Sequence, residues 1–115
     1  MRVAVTSQNF RTITGHAGKC RRFLVYDLQP GKDPIEIERL DLPKELSAHE
    51  YHGPDHPVYQ RGLNVLLTGG AGRPFVERMA RQGINIITTS ETDIATALSA
   101  LSAGRTLPPA GPHAH

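Results

Sequence analysis

The second half of the chain constrains the fold most, because two short apolar runs alternate there with two helical patterns. Residues 63–68 and 84–88 are typical of buried strands. Residues from about 74 to 82 predict a helix between them, and a final helix is expected to begin after residue 90 or 92 and to end before residue 104. A strand, a helix and a second strand in this order form a parallel pair joined by a right-handed crossover. This half therefore predicts an α/β domain.

Residues at the ends of the two predicted helices support these boundaries. Pro74 suits the first turn of the first helix, and Gly83 suits its C-terminal end. Ser90 and Asp93 have the spacing of a capping box, so we expect Ser90 or Thr92 to cap the final helix. The core stripe of that helix follows the helical period and consists of Ile94, Leu98 and Leu101.

The first half of the chain predicts three strands. Residues 2–6 alternate apolar and polar side chains, and residues 22–29 contain a β-prone apolar run that ends at a Pro-Gly pair. Residues 35–42 resume the alternation, but their apolar positions change face midway, so we expect a bulge near Arg39. The short turn before residue 35 favours antiparallel pairing. The whole chain then has the order β-β-β followed by β-α-β-α, which predicts a mixed five-stranded sheet with flanking helices.

Length and composition narrow the expected partners and location. A chain of 115 residues has the size of one domain, which we place at residues 1–107, and residues 108–115 are rich in proline and histidine and predict a flexible tail. The net charge is only +2 and tryptophan is absent, so nucleic acid is not an expected partner. No apolar run approaches the roughly 20 residues of a membrane span, and the N-terminus begins directly with a strand pattern. We therefore expect a cytoplasmic protein that does not contact the membrane.

A histidine loop at residues 49–56 is the first candidate site. His49, His52 and His56 lie within eight residues of one another, together with two carboxylates, and imidazoles suit Fe, Zn, Ni or Cu. The helix-breaking residues Gly53, Pro54 and Pro57 disfavour a continuous helix here, so convergence of the three histidines would have to come from a loop. The alternative is a polar surface loop whose histidines make turn hydrogen bonds.

The long connection after the first strand is the second candidate site. Cys20 is the only cysteine, so the chain has no internal disulfide, and Lys19, Arg21 and Arg22 should favour its thiolate. His16 lies four residues away. Cys20 or His16 could act as a ligand of an anionic metal cluster while the neighbouring cations offset the cluster charge. The alternative is an incidental surface cysteine in a basic loop.

A glycine turn between a strand and a helix is the third candidate site. Gly69, Gly70 and Gly72 precede the predicted helix, and backbone amides at a helix N-terminus bind anions. The Walker and dinucleotide-binding spacings are both absent. A tight strand-to-helix turn without a ligand is the alternative. The chain also lacks the Gly-x-Ser-x-Gly and His-Glu-x-x-His motifs, so we expect no enzyme activity.

The sequence resembles the dinitrogenase iron–molybdenum cofactor biosynthesis family, of the NifX and NifB C-terminal type, over roughly residues 1–107. The matching segments are the strands at 2–6 and 22–27, the His-Ala-Gly loop at 16–18 with its basic continuation, the glycine turn at 69–72, residues 83–86 and the final helix ending at Gly104. The resemblance implies a ribonuclease H-like α/β fold with a mixed five-stranded sheet. It also implies that the domain is not a catalyst and binds or carries iron–sulfur or iron–molybdenum cofactor precursors. His16 falls at the family's His-x-Gly position and the glycine turn on the cluster-facing edge.

The sequence departs from the family in the segment before the fourth strand. Many members have a helix there, whereas this chain has its histidine loop. Cys20 lies where members vary, so its role as a ligand is our inference from the residues and not from the resemblance.

These observations favour a non-catalytic carrier of a metal–sulfur cluster. The cluster would lie between the first loop and the histidine loop, and cofactor-assembly or recipient proteins would be the partners. The expected cofactor contacts are His16, Gly18, Lys19, Cys20, Gly69, Gly70 and Gly72, and the expected metal ligands are His16, Cys20, His49, His52 and His56. This hypothesis requires both loops to meet at one edge of the sheet.

Two alternatives remain open from the sequence. The three loop histidines could bind a single Zn or Ni ion. A ribonuclease H-type hydrolase is suggested by fold analogy alone, and it would need strand-borne carboxylates for two metals. The first strand has no carboxylate, and Asp27 at the end of the second is the residue to test.

Overall fold

The computed structural model describes residues 1–53 and 55–110, so Pro54 and residues 111–115 of the predicted tail lie outside the described residues. The strands are β1 (Arg2–Thr6), β2 (Arg22–Asp27), β3 (Ile35–Asp41), β4 (Val65–Thr68) and β5 (Asn85–Thr88). The helices are α1 (Arg73–Arg81) and α2 (Ile94–Ser102), and two short 3₁₀ helices span Lys44–Leu46 and Pro57–Arg61. Among the described residues, no helix is both long and apolar enough to cross a bilayer.

The five strands form one mixed sheet in the order β3-β2-β1-β4-β5. β2 is antiparallel to both of its neighbours, whereas β4 is parallel to β1 and to β5. The mixed five-stranded sheet predicted from the sequence is thus confirmed. The expected bulge in β3 is also present, but it lies at Ile37, because Val25 pairs with Glu38 and Tyr26 pairs with Glu36.

The central strands β1 and β4 are covered on both faces. Their neighbouring residues point to opposite sides of the sheet and enter two different cores. Ala4 and Leu66 belong to the core on the α1 side, which includes Phe75 and Met79. On the other face, alternate residues of the same strands pack with α2, and these are Val3, Val5, Val65, Leu67, Ile94 and Leu98. Burial on both sides explains the nearly continuous apolar runs of β1 and β4.

The N-terminal cap of α2 differs from the sequence prediction. Asp93 is the N-cap, and its carboxylate accepts a hydrogen bond from the Thr96 amide at 2.8 Å. The expected caps at Ser90 or Thr92 are therefore wrong. Ser90 instead donates its amide to the Pro108 carbonyl at 3.2 Å, which places it outside the helix.

The sheet topology determines where the loops lie. Because β1, β3, β4 and β5 run in the same direction, the segments that follow them all leave from the carboxyl edge of the sheet. The first loop (residues 7–21), the segment that contains the histidine loop (42–64) and the glycine turn (69–72) are therefore neighbours.

Candidate functional site

A cavity of about 470 Å³ opens at this carboxyl edge, between the first loop, the histidine loop and α1. The two loops, which are about 30 residues apart in sequence, meet here through a hydrogen bond from the His49 amide to the Gly18 carbonyl at 2.6 Å. The lining residues are His16, Gly18 and Lys19 from the first loop, Ala48, His49 and His52 from the histidine loop, and Gly72, Pro74, Phe75 and Arg78 from the turn and α1.

The first loop is held against the sheet by backbone contacts with the glycine turn. The Gly69 amide donates to the Thr14 carbonyl at 2.9 Å, and the Ala17 amide donates to the Gly70 carbonyl at 3.0 Å. A side chain at Gly69 would lie 3.3 Å from the Thr14 carbonyl and from the Gly15 amide nitrogen, so glycine permits the close approach of the two backbones. Gly69 and Gly70 thus position the loop, and neither lines the cavity.

His16 adopts a left-handed backbone conformation with φ of +53°. This conformation is strained for a residue that has a Cβ atom. Residues strained in this way cluster at functional sites. The His16 carbonyl accepts hydrogen bonds from the amides of Lys19 and Cys20 at 2.9 and 3.0 Å, which closes a tight turn. The turn leaves the His16 side chain exposed at the cavity.

The histidine loop forms a second turn, which places His49 and His52 at the cavity. The amides of Glu50 and Tyr51 both donate hydrogen bonds to the carbonyl of the buried residue Ser47, at 3.1 and 2.8 Å. The His52 Nε2 atom lies 3.0 Å from the His49 carbonyl oxygen. Both histidine side chains are exposed and line the cavity.

The charged side chains that line the cavity are all positive. Lys19 and Arg78 are cationic, three further lining residues are imidazoles, and none of the described residues that line the cavity is acidic. A cleft lined by one sign of charge concentrates ligands of the opposite sign. The cavity is therefore suited to an anionic ligand.

Cys20 does not line this cavity. Its side chain is 1% exposed, and its thiol lies 3.1 Å from the Arg22 carbonyl oxygen and 3.4 Å from Gln8 Oε1. Burial raises the pKa of the Cys20 thiol, and the hydrogen bonds and the nearby Arg21 only partly offset this effect. The sequence-based expectation of a favoured thiolate is therefore wrong, since removal from water outweighs the basic neighbours.

His56 lies apart from the other two histidines of its loop. It is 1% exposed, and its Nδ1 atom accepts a hydrogen bond from the Val58 amide at 3.1 Å. The proton of the neutral ring must then be on Nε2, which donates to the Leu46 carbonyl at 2.6 Å. With both ring nitrogens engaged, His56 caps the second 3₁₀ helix, and burial lowers its pKa.

A single-ion site is not formed by the predicted residues. Within residues 1–53 and 55–110, no three His, Cys, Asp or Glu side chains are grouped so that they could hold one metal ion. A hydrolase of the ribonuclease H type would need a cluster of carboxylates for its metals. The described residues show no such cluster either. Asp27 lies at the opposite edge of the sheet, where it forms an ion pair with Arg2 at 3.0 Å.

Four lining residues were not found from the sequence: Ala48, Pro74, Phe75 and Arg78. A signal for two of them was available, since Phe75 and Arg78 are three residues apart on α1 and so share a face beside the glycine turn. The contact between that face and the histidine loop could not be read from spacing.

The mixed sheet and the cavity between loops at its carboxyl edge define a small α/β domain with a candidate ligand site. Residues 1–104 match the family model described as dinitrogenase iron–molybdenum cofactor. The chain therefore belongs to this family, as the sequence resemblance predicted. The family points to a role in the biosynthesis of that cofactor, and its members are typically accessory cofactor-binding proteins.

Solved structures support the fold. The crystal structure of PH0822 is 24% identical, with a TM-score of 0.71 and coverage of 93% of this chain and 96% of that chain. The NMR structure of a candidate NifB protein from Thermotoga (TM1290), of the DUF35 family, is 21% identical, with a TM-score of 0.59 and coverage of 93% and 91%. These likenesses show the fold alone. A comparison with curated proteins finds no match.

Proposed function

We propose that this protein is a non-catalytic carrier of an anionic metal–sulfur cluster, an iron–sulfur or iron–molybdenum cofactor precursor, held in the cavity at the carboxyl edge. The observation that carries this proposal is the combination of three imidazoles and two cations around one cavity with no acidic lining residue among those described. His16, His49 and His52 are the proposed ligands, and Lys19 and Arg78 offset the charge of the cargo.

The geometry favours a cluster over a single ion. The cavity volume falls in the range of small-molecule sites, roughly 300–1,000 Å³, and it exceeds the space needed for one metal ion. The three lining imidazoles do not form a mononuclear site. The N-terminus of α1 also borders the cavity without a side-chain cap at Gly72, and helix N-termini favour negative charge.

The same geometry suits release. All three proposed ligands are exposed side chains on loops, so the cargo can leave without disruption of the core. Few protein ligands and an open cavity suit a carrier that passes its cargo to another protein.

Four further assignments belong to this proposal. The strand order supports a ribonuclease H-like fold, as the resemblance implies. Cofactor-assembly or recipient proteins are the proposed partners, rather than nucleic acid or membrane, and the proposed location is the cytoplasm. Cys20 and His56 are left out of the ligand set, because both are buried and hydrogen-bonded away from the cavity.

Anaerobic reconstitution with iron and sulfide tests the proposal. Bound iron and sulfide, visible absorption and electron paramagnetic resonance are compared for the wild type and for a variant that carries His16→Ala, His49→Ala and His52→Ala. We expect the wild type to hold a cluster and the triple variant to lose most of it. Bound iron that is unchanged in the triple variant contradicts the proposal.

Two controls sharpen this experiment. Cys20→Ala should keep the cluster, because the thiol does not line the cavity, and loss of iron in this variant would show that the ligand set is wrong. A variant with His113→Ala and His115→Ala removes two imidazoles outside both loops and should also bind normally. Titration of the wild type with Zn²⁺ alone tests the single-ion alternative, which predicts tight binding of one ion without sulfide.

A further inference from the structure

Arg78 links α1 to the histidine loop. Its side chain is partly buried on the cavity side of α1. Its guanidinium group donates one hydrogen bond to the Ala48 carbonyl and a second to the Tyr51 carbonyl, the latter at 2.8 Å. One planar side chain thus fixes two points of the loop, as the rigid fork of arginine allows.

The two carbonyls occupy particular positions in the chain. Ala48 immediately precedes His49, and Tyr51 immediately precedes His52. Each carbonyl that Arg78 holds therefore belongs to the planar peptide unit that leads into one cavity histidine. The unit before His49 is fixed on both sides, because its amide also donates to the Gly18 carbonyl.

We propose that Arg78 is a positioning residue, which orients the imidazoles of His49 and His52 toward the cargo by clamping the peptide units that precede them. The inference rests on the proposed function for the identity of the cargo. The clamp itself is a property of the empty protein and can be measured without any cargo. Arg78 also brings a positive charge to the cavity, so the experiment separates clamping from charge.

Hydrogen exchange of the unloaded protein tests the clamp. In Arg78→Ala, we expect faster exchange of the Glu50 and Tyr51 amides, while the amides of the sheet are unchanged. Arg81→Ala is the matched control, because Arg81 is exposed on the same helix and its removal changes the net charge equally. If the Glu50 and Tyr51 amides exchange at the wild-type rate in Arg78→Ala, the proposed clamp is overturned. If Arg78→Ala does not fold, Arg78→Lys is measured in its place.

Reconstitution with iron and sulfide tests positioning. Loss of a residue that orients metal ligands typically lowers affinity about 10- to 100-fold, and we expect this loss in Arg78→Ala. Arg78→Lys keeps the charge without the planar fork, so it should bind closer to Arg78→Ala than to the wild type. Addition of guanidinium ion at non-denaturing concentration should restore binding to Arg78→Ala, and ammonium ion at equal ionic strength should not.

The outcomes separate the two proposals. Full binding by Arg78→Lys, or equal rescue by ammonium, assigns the effect to charge and overturns positioning. Normal binding by Arg78→Ala also overturns it. A wild-type protein that binds no iron refutes the proposed function, whereas the exchange experiment still decides whether Arg78 holds the loop.

Discussion

The buried His56 ring provides the sharpest test of how the histidine loop is built. His56→Ala leaves the Leu46 carbonyl without its donor at 2.6 Å and the Val58 amide without its acceptor at 3.1 Å. A buried polar group without a partner costs about 1–3 kcal/mol. The removed ring leaves a space in which water can satisfy part of this loss, so the free energy of unfolding should fall by about 2–4 kcal/mol. That loss is a large share of the whole free energy of unfolding of a domain, which is about 5–15 kcal/mol.

Urea unfolding followed by circular dichroism measures this loss. His56→Asn keeps an acceptor near the position of Nδ1 but cannot reach the Leu46 carbonyl, so it should be intermediate. His52→Ala is the matched control, because this exposed residue lies in the same loop, and it should change stability by no more than about 0.5 kcal/mol. A loss below about 1 kcal/mol in His56→Ala, or one equal to that of His52→Ala, would refute the structural role.

Three further predictions follow from burial and close packing. Burial lowers the pKa of His56 from its ordinary value of 6.5, so the unfolded chain binds this proton more readily. The contribution of the neutral His56 ring to the free energy of unfolding is full above pH 6.5, and it falls as the pH drops toward the folded-state pKa. Urea titrations on both sides of pH 6.5 should show this pH dependence in the wild type and not in His56→Asn. The buried Cys20 thiol should react with iodoacetamide only at the rate of local or global opening, and rapid labelling of the native protein would contradict its placement. Gly69→Ala should destabilise by about 1–3 kcal/mol through contact with the Thr14 carbonyl, whereas Gly18→Ala, whose Cβ would approach only Phe75, at 4.0 Å, should cost under about 0.5 kcal/mol; equal unfolding midpoints would refute this difference.

The order of elements was predictable because it depends on local patterns. Apolar runs of strand length, helical periodicity and Pro-Gly punctuation all act within a few residues, and they predicted the five strands and both helices. The directions of two strand pairs also followed, since a helix between β4 and β5 requires a parallel pair and the short turn between β2 and β3 favours an antiparallel one. The structure added that β1 lies antiparallel to β2 and parallel to β4. These directions placed the loops at one edge of the sheet and so brought the candidate segments together.

Local patterns were insufficient where several residues compete for one structural role. Ser90, Thr92 and Asp93 are all good N-caps by residue type, and only the backbone path shows that Asp93 faces the amide of Thr96. The bulge in β3 was expected from the change of face, but its position at Ile37 depends on pairing with β2.

The roles of the site residues were decided by the tertiary structure. The sequence by itself determined an α/β domain of the iron–molybdenum cofactor family with polar loops, and the tertiary structure decided that these loops meet at one edge of the sheet. It could not distinguish His56 from His49 and His52, because burial depends on what packs over a side chain and not on its neighbours in sequence. The same holds for Cys20, whose basic neighbours suggested a reactive thiolate while the core removed it from water. Arg78 entered the site only through a contact across about 30 residues of chain, and no local pattern records such a contact.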